Sequence, residues 1–521
     1  MTVAVREARA PLAAALLAVF VGALDLTVIA TILPRIVEDL QVNTADVDRY
    51  VWIVNGYLLA YVIAIPVVGR LSDLFGRRAA FAVSLAIFLV GSVWCALAHS
   101  LGWMIAGRTI QGLGGGALLP VTMALVGDLL PAHRRASALG VVAAVDTLGW
   151  VLGPLWGAVV VSSGIGADPW RWVFLLNVPL GLAAWLAVVR TPPPRHAPEA
   201  APAAPGFDLA GALLLALALV LLHLGLSAGG EIGMHAGGGR ALGGTRNPFA
   251  AYSLPLTLAA VVVGAGFILR ERRARVPLVP LALFRERRFS AAATANLLVG
   301  ASLIVAMVDV PVVVTLIVDP DRAAVVTALV LAPFTLLMAI LALGGGRLAM
   351  RFGEQRVAAT GAALAAVGYA ALWFGLRDGE ILGLVPGLLL TGAGFGLVVA
   401  PIGAATLDAA PAADRGIAAG LTLVARLLGM TIGISTLTAL AVNRLQTLVG
   451  DLSLIVQQPG ESTADFLLRQ TLYLEQTVIP LTLRVVRETF LAAGVIALLA
   501  LIPISRMASS DAPEPGERPA P

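Results

Sequence analysis

Charged side chains inside apolar stretches are the first sign of chemistry in this sequence. Asp25 lies in the middle of the first such stretch, Leu12 to Leu33, and Arg108, Asp146 and Arg426 lie within later ones. A carboxylate at the centre of a bilayer costs at least ~2.5 kcal/mol, so intramembrane charges usually mark ion, proton or substrate sites. We therefore expect Asp25 to act on ions or on substrate, because an alanine would serve packing at a lower cost.

The composition places these charges in a membrane. The chain is 59% hydrophobic and 13% charged, with a mean hydropathy of +0.92, whereas soluble domains carry roughly 25% charged residues. Apolar runs of about 20 residues recur along the chain, and each is long enough to cross a bilayer as a helix. The sequence predicts an all-α integral membrane protein with fourteen spans, at roughly 12–33, 49–69, 79–98, 102–127, 136–161, 171–190, 208–228, 250–270, 290–318, 324–346, 357–376, 382–407, 416–442 and 485–505.

The basic residues indicate how the chain is oriented. They are arginines without a single lysine, and they cluster in every second loop. This alternation is the positive-inside pattern, and it predicts that both termini are cytoplasmic. It also argues against nucleic acid as a partner, despite a sequence pI near 9.7. The arginine, alanine, glycine and proline usage is typical of a GC-rich bacterial genome, so we expect a multi-pass protein of the bacterial plasma membrane.

A repeated segment predicts that the protein is built from two related halves. The pattern Gly-Arg-Leu-x-x-x-Phe-Gly runs over residues 69–76 and again over residues 346–353. Internal repeats of this kind are common in transporters. The predicted domains are a six-helix half at 1–190, cytoplasmic linkers with two inserted spans at 191–289, a second six-helix half at 290–507, and a disordered tail at 508–521.

The segment after the thirteenth span is unusually long. Residues 443–484 carry leucine and valine at helix-like spacings on both sides of Gln457-Gln458-Pro459-Gly460, which is typical of a turn. We predict that the two flanking spans extend as helices beyond the membrane and meet at this turn. The alternative is a flexible loop with scattered leucines.

The sequence carries no enzyme constellation. It has neither a Gly-Lys-Ser/Thr phosphate loop nor a Gly-x-Ser-x-Gly motif, and Cys95 is its single cysteine. Disulfides and cysteine metal clusters are therefore excluded, and ATP is not expected as the energy source. We predict a protein that is not an enzyme and that needs neither a cofactor nor a metal.

Five stretches, in their order along the chain, resemble the major facilitator superfamily and specifically its fourteen-helix drug:proton antiporter branch. They are the segment from Leu24-Asp25 to Leu33-Pro34, the loop at 69–78, Arg108-Thr109-Ile110-Gln111-Gly112, the glycine-rich span from Gly140 to Gly157, and Trp170 to Gly181. The resemblance implies the facilitator fold, with export driven by an inward flow of protons. Within the branch, residues 52–59, 105–112, 117–122 and 424–430 are most similar to mycobacterial triacylglyceride exporters.

The resemblance assigns proton coupling to the acids at bilayer depth. Asp25 and Asp146 would carry protons, and Arg108 and Arg426 would be their charge partners. Separation of Asp25 from Arg108 would change the affinity of the acid for a proton, which makes the pair a switch. The alternative is an inert structural ion pair.

The loop after the second span is expected to latch the cytoplasmic side closed. Asp73 can bind helix-end amides or arginines such as Arg77, while Gly69 and Gly76 permit a tight loop. A solvated turn is the alternative. Met350 replaces the acid in the second copy of the repeat, so the latch should act mainly through the first half.

The fifth span is expected to be a closely packed and pliable helix between the halves. Small residues allow helices to approach each other, and proline frees a carbonyl and permits bending. The residues of this antiporter motif are Gly149, Gly153, Pro154 and Gly157.

Three further polar residues stay as candidates with two interpretations each. Gln111 belongs to the fourth-span motif that carries Arg108. Asn296 could line the central cavity or hydrogen-bond a neighbouring helix. Asp309 lies near the outward end of the ninth span, where it is either functional or interfacial.

Together these features predict a proton-coupled secondary exporter of lipophilic substrates, with a triacylglyceride-like lipid as the favoured cargo. A multidrug:proton antiporter for lipophilic cations is the first alternative, and a non-transporting membrane receptor or scaffold is a remote one. The expected partners are membrane lipids, protons, the lipophilic cargo and an extracytoplasmic lipid-binding protein that receives it. We expect a monomer.

Overall fold

The fold consists of helices, and a computed structural model describes residues 9–42, 47–50, 52–166, 168–190, 207–236, 252–376, 380–449 and 462–507. Fourteen helices in these ranges are long and apolar enough to span a membrane, which confirms the predicted fold class. They are α1 Arg9–Asp39, α2 Trp52–Phe75, α3 Arg77–Ala96, α4 Leu101–Leu129, α5 Ala132–Ser162, α6 Pro169–Arg190, α7 Leu209–Ala236, α8 Ser253–Glu271, α9 Arg287–Ile317, α10 Pro320–Phe352, α11 Glu354–Gly375, α12 Leu384–Ala409, α13 Arg415–Val449 and α14 Thr463–Ile504.

Helices α1–α6 and α9–α14 form two halves with the same internal packing. In the first half α1 packs against α5, α4 packs against α2 and α3, and α3 packs against α6. In the second half α9 packs against α13, α12 packs against α10 and α11, and α11 packs against α14. The sequence repeat therefore corresponds to a repeat of the whole six-helix arrangement.

The two halves meet along two equivalent helix pairs, α5 with α10 and α13 with α2. Glycines allow the backbones to approach at these crossings. A methyl group at Gly140 of α5 would collide with the carbonyl oxygen of Ala342 on α10. At the equivalent crossing, a methyl group at Gly420 of α13 would lie 3.0 Å from the carbonyl oxygen of Ile65 on α2. The interface between the halves thus carries the same approximate twofold symmetry as the halves themselves.

The two copies of the sequence repeat form sharp turns between consecutive helices. Gly76 connects α2 to α3 with φ 90°, and Gly353 connects α10 to α11 with φ 88°. Side chains with a Cβ rarely adopt this left-handed region, which is why glycine is needed at both turns. These arginine-rich turns lie at one end of the bundle, which we call the basic end.

The inserted helices α7 and α8 pack against each other, and α7 also lies against α13 and α2. The hydroxyl of Ser435 on α13 donates to the carbonyl of Leu226 on α7 at 3.0 Å. Asp208, just before α7, forms an ion pair of 2.6 Å with Arg270 near the end of α8. The hydrogen bonds from Arg270, and after them that from the Gly211 N–H, lower the pKa of the Asp208 carboxyl.

The helices on both sides of the long segment after the thirteenth span extend into it. Helix α13 continues to Val449 and α14 begins at Thr463, with the Ser462 hydroxyl accepting from the Asp465 N–H at 3.1 Å. A π-helical turn interrupts α14 at Leu474–Val478. The predicted turn at 457–460, the Pro-rich connector at 192–206 and the tail at 508–521 lie outside the described residues.

Candidate functional site

A closed polar cluster surrounds Asp25 in the middle of α1. Its Oδ2 accepts from Arg108 Nη1 at 2.6 Å, and its Oδ1 accepts from Gln111 Nε2 at 2.9 Å and from Asn177 Nδ2 at 2.8 Å. Gln111 also donates to the Ser92 hydroxyl at 2.8 Å. The side chains of Asp25 and Arg108 are 0% and 1% exposed. Three donors, one of them a cation, therefore compensate the charge that the first span buries.

Aromatic rings enclose the arginine of this cluster. The Arg108 guanidinium lies 4.0 Å from the ring centre of Tyr57 and 5.9 Å from that of Phe174, which adds cation–π attraction. Within the described residues, Arg108 Nε and the Tyr57 hydroxyl have no hydrogen-bond partner. The pair is thus held away from water while the arginine retains one unused donor.

The proline of the antiporter motif is matched by a hydroxyl on α1. Pro154 has no N–H, so the carbonyl of Trp150 one turn earlier has no partner within α5. The Thr27 hydroxyl donates to this carbonyl at 3.0 Å, and the Thr31 hydroxyl donates to the carbonyl of Pro154 at 3.1 Å. Two residues of the first-span motif therefore stabilise the part of α5 that the proline weakens.

The glycines of the motif face the same helix. A methyl group at Gly149 would lie 2.6 Å from Ala23 Cβ, and one at Gly153 would lie 2.6 Å from the Leu24 carbonyl oxygen. One at Gly157 would lie 2.9 Å from a methyl of Val28. These three glycines pack α5 against α1 of its own half, whereas Gly140 provides the close approach of α5 to α10 of the other half.

Asp146 and Arg426 stand on opposite halves, on α5 and α13, and both side chains are half-buried. The two side chains are close enough for a Coulomb interaction with each other, and both also interact electrostatically with the Tyr61 hydroxyl. No direct ion pair within 4.0 Å joins them in the described part of the chain. The expected charge partners therefore interact across the halves without the contact that Asp25 makes with Arg108.

Asp73 joins the two halves at the basic end. Its Oδ1 accepts from the Gly416 N–H at 2.9 Å and its Oδ2 accepts from the Ile417 N–H at 2.8 Å. These amides belong to the first turn of α13, where N–H groups have no partner within the helix and the helix dipole favours an anion. Arg77 forms an ion pair with the same carboxylate, and a methyl group at Gly69 would lie 2.8 Å from the Gly416 carbonyl oxygen.

Two reciprocal ion pairs flank this contact. Asp128 at the end of α4 binds Arg415 of the second half at 3.1 Å. Asp408 at the end of α12 binds Arg135 of the first half at 2.5 Å. Each half thus gives one acid and receives one arginine, so the two pairs close the basic end symmetrically.

A further ion pair joins Arg70 to Asp414 at 2.7 Å, and Arg77 donates to the Ala412 carbonyl at 3.4 Å. Each of these hydrogen bonds and ion pairs between the two six-helix halves lies at the basic end. This end is closed, and at the opposite end the ion pairs of Arg171 with Asp39 and of Arg444 with Glu488 stay within one half.

The three open candidates have different surroundings. Gln111 belongs to the Asp25 cluster. Asn296 is 3% exposed and donates to the Thr422 carbonyl on α13 at 2.7 Å, so it hydrogen-bonds a neighbouring helix. Asp309 lies 2.5 Å from the Thr489 hydroxyl of α14.

Several partners were not singled out from the sequence. Asn177 lies within the Trp170–Gly181 stretch, but its contact with Asp25 requires α6 to pack beside α1. The acids and arginines of the reciprocal ion pairs share the spacing Asp-x-x-Pro-x-x-x-Arg, at 128–135 and at 408–415. That second internal repeat is a signal from which these residues could have been found.

Comparisons with known proteins identify the family of this chain. The profile of the Major Facilitator Superfamily matches residues 15–434. A triacylglyceride transporter of Mycolicibacterium hassiacum is 39% identical over 435 residues, which cover 81% of this chain and 77% of that protein. A triacylglyceride transporter of Mycobacterium tuberculosis H37Rv is 39% identical over 459 residues, which cover 85% of each chain.

Solved structures show the same fold at low sequence identity. The human organic anion transporter MFSD10 superposes with a TM-score of 0.61 at 16% identity and covers 95% of this chain and 99% of its own. The proton:xylose symporter XylE superposes with a TM-score of 0.61 at 15% identity and covers 95% of both chains.

Proposed function

Since this chain belongs to the major facilitator superfamily, we propose that it is a proton-coupled exporter of lipophilic molecules, with a triacylglyceride-like lipid as cargo. It is a membrane transporter and not an enzyme. The direction of transport, the proton coupling and the plasma-membrane location are parts of the proposal. The observation that carries it is the closed polar cluster around Asp25.

The cluster supports a proton switch because its stability depends on the charge of one carboxyl. When ionised, Asp25 uses Arg108, Gln111 and Asn177 as donors. When protonated, it loses its attraction to Arg108, and the buried cation is left without its counter-charge. Helices α1, α4 and α6 then favour a different arrangement, so binding or release of a proton is coupled to conformation.

Asp146 and Arg426 supply the second step. They belong to opposite halves and interact without a direct ion pair, so a change in their separation changes the electrostatic energy of both. Protonation of Asp146 removes its attraction for Arg426 and makes it easier for α5 and α13 to move relative to each other. Cargo that enters between the halves would act on the same pair.

The closed basic end supports an alternating-access cycle. By the positive-inside rule this end faces the cytoplasm, so the described conformation is closed to the cytoplasm. Asp73 and the reciprocal pairs Asp128–Arg415 and Asp408–Arg135 would break when the transporter opens inward to load cargo. Their contacts with α13 and α5 link the basic end to the helices that carry Arg426 and Asp146.

The lipid assignment rests on relatives and on the shape of the last two helices. The similar mycobacterial proteins are named triacylglyceride transporters. The extension of α14 exposes Leu467, Leu468 and Leu472, an apolar surface along which a lipid could leave the membrane towards a lipid-binding protein. A multidrug antiporter is the competing function, since the fourteen-helix branch includes exporters of lipophilic cations.

Flux measurements in liposomes with an imposed pH gradient test the proposal. A labelled triacylglyceride is compared with ethidium, each with the full chain and with a variant that lacks residues 446–478. We expect gradient-driven lipid flux that the truncation abolishes. Ethidium flux that does not need the extension would favour the multidrug antiporter instead.

The proton switch is tested in the same liposomes with Asp25→Asn, which should abolish gradient-driven flux. Asp319→Asn is the matched control, because Asp319 is exposed and its side chain does not cap α10. Flux that continues unchanged in Asp25→Asn would refute proton coupling at this residue. Flux that is absent from every form, including the unmodified chain, would favour a receptor or scaffold.

A further inference from the structure

Asp309 is a second carboxyl that helices of one half enclose, and the proposed proton switch does not use it. It lies on α9, and its Oδ2 is 2.5 Å from the Thr489 hydroxyl on α14. The same hydroxyl is 2.7 Å from the Val486 carbonyl one turn earlier on its own helix. These three groups form a short row of polar contacts between α9 and α14.

The number of hydrogens available to Asp309 and Thr489 decides which of these contacts can be hydrogen bonds. A threonine hydroxyl has one hydrogen, so Thr489 can donate either to Asp309 or to the Val486 carbonyl. A protonated Asp309 that donates to Thr489, which then donates to the Val486 carbonyl, gives each of the two short contacts its own hydrogen. The distances fit a protonated carboxyl in which both bonds are satisfied.

The charges around Asp309 agree with this protonation state. On the neighbouring α11, Tyr369 is the titratable group with a Coulomb interaction with Asp309. The Tyr369 hydroxyl donates to the Ser302 carbonyl. On α14, Arg487 donates to the Trp373 carbonyl at 2.9 Å, and Glu488 binds the arginines Arg444 of α13 and Arg484 of α14. No cation within 4.0 Å of Asp309 is present among the described residues, whereas Asp25 has Arg108.

The pseudo-symmetry of the fold identifies what the first half places at the same site. Gly153 of α5 packs on the Leu24 carbonyl of α1, and Gly433 of α13 packs on the Ala301 carbonyl of α9. Leu24 therefore corresponds to Ala301. Counting along each helix by the same number of residues, Asp309 corresponds to Ile32.

The partner helix gives a matching correspondence. Arg171 of α6 donates to the Ala96 carbonyl on α3, and Arg487 of α14 donates to the Trp373 carbonyl on α11. Two residues after each arginine stand Val173 and Thr489. Ile32 and Val173 are both 0% exposed and belong to one apolar core cluster.

The first half thus fills this position with an apolar pair, while the second half carries an acid and a hydroxyl. The packing of the fold does not require polar groups there, since Ile32 and Val173 satisfy it. Asp309 also lies seven residues beyond Ser302, the counterpart of Asp25, which is about two helical turns or roughly 10 Å nearer the end opposite the basic end. The outward end is therefore the nearer of the two ends from which a proton would reach Asp309.

We propose that Asp309 and Thr489 form a third proton-binding site, occupied by a proton while the basic end is closed. The site deepens the proposed function, because it would load a proton from the outward side before the Asp25 and Asp146 switches act. Thr489 is a positioning residue that accepts the bond from the protonated carboxyl.

Infrared difference spectroscopy of the full chain in lipid tests the site directly and independently of transport. Near neutral pH we expect a protonated-carboxyl C=O band that disappears in Asp309→Asn and persists in Asp25→Asn. Asp309→Glu should restore a shifted band. In Thr489→Val the C=O band of the unmodified Asp309 should shift in frequency, because the protonated carboxyl loses its hydrogen-bond acceptor.

A double variant separates this role from folding. Asp309→Ile with Thr489→Val introduces the first-half pair at the second-half position, so the thermal unfolding temperature should be preserved while the band is lost. Spectra of the unmodified chain and Asp309→Asn that are identical would overturn the proposal. A band that disappears on addition of NaCl at constant pH would also overturn it, in favour of a sodium site.

The transport assay distinguishes failure of this site from failure of the proposed function. Gradient-driven triacylglyceride flux with no Asp309 band would refute the third site and leave proton-coupled export intact. An Asp309 band in a chain that shows no gradient-driven flux would support the site and refute proton-coupled export.

Discussion

The two halves of this transporter share their packing and differ in their charges. In the first half, Arg108 of α4 and Asn177 of α6 meet Asp25 of α1. At the corresponding positions the second half has Leu388, Ala493 and Ser302. The Ser302 hydroxyl donates to the Ala493 carbonyl at 2.9 Å, and Leu388 is fully buried. The same helical frame therefore holds a buried ion pair in one half and, in the other, a hydroxyl–carbonyl hydrogen bond beside a buried leucine, so the packing of the frame does not itself require the ion pair.

At the basic end, some of the contacts between the halves occur in both halves and one occurs in the first half alone. The pairs Asp128–Arg415 and Asp408–Arg135 are reciprocal, but the Asp73 contact has no second-half copy, because Met350 stands there and is 48% exposed. The helix starts explain this difference. Helix α13 begins at Arg415, so the Gly416 and Ile417 N–H groups have no partner within the helix and can donate to Asp73.

Helix α5 begins earlier relative to the repeat, at Ala132. The residues of α5 that correspond to Gly416 and Ile417 are Ala136 and Ser137, and their N–H groups lie beyond the first four of the helix. They are therefore bonded within α5, and an acid in place of Met350 would find no free donor. That the latch acts mainly through the first half stays a prediction, and the free amides of α13 are the observation that supports it.

The largest predicted effect concerns the ion pair itself. Arg108→Leu introduces the second-half residue and leaves the Asp25 carboxyl buried without its cation, which should cost about 3–5 kcal/mol of stability. The variant should unfold at a lower temperature and lose gradient-driven flux. Combining it with Asp25→Ser, so that both second-half residues are present, should restore the unfolding temperature without restoring flux. Equal unfolding temperatures for the single and double variants would contradict the comparison.

A medium effect is expected from the reciprocal pairs. Arg135→Ala and Arg415→Ala each remove one partly buried ion pair, worth ~1 kcal/mol, and should shift the closed-to-open ratio of the basic end about fivefold. Distances between spin labels at the exposed positions His133 and Ala413 report this ratio. The shift for Arg135→Ala should be the larger of the two, because Asp128 keeps its ion pair with Arg77 at 3.1 Å when Arg415 is removed.

Arg444→Ala is the control for these distances, because Arg444 pairs with Glu488 inside one half and away from the basic end. It should leave the label distances unchanged. A larger shift for Arg415→Ala than for Arg135→Ala would contradict this order.

The smallest effect concerns the inserted helices, which have no counterpart in either half. The pKa of Asp208 is lowered from its ordinary value of 3.8 by the hydrogen bond from Arg270. A lowered folded-state pKa gives stability that is present above the unfolded value and is lost as the pH falls through the folded one. Thermal unfolding of the unmodified chain should therefore lose a small contribution below about pH 3.8, and Asp208→Asn should remove that contribution. An identical acid profile in both forms would show that the pair does not hold α7 to α8.

The main features of the fold could be predicted from local sequence. Fourteen apolar runs predict fourteen helices because lipid offers no partner for a free backbone amide, so each run must satisfy its own hydrogen bonds. The glycine turns at Gly76 and Gly353 follow from the repeat, since both need a left-handed backbone. Asp25, Arg108, Asp146 and Arg426 are recognisable as candidates because each carries a charge where lipid would penalise it.

The contacts of these charges were decided by the tertiary structure. The sequence could not show that Asp146 and Arg426 interact without a direct ion pair, nor that the motif glycines of α5 face α1. Asn177 contacts Asp25 across 152 residues of chain, and Arg415 contacts Asp128 across 287. The position of a charge is local information that one helix contains, whereas its partner depends on how whole helices pack, and that is determined by the bundle as a unit.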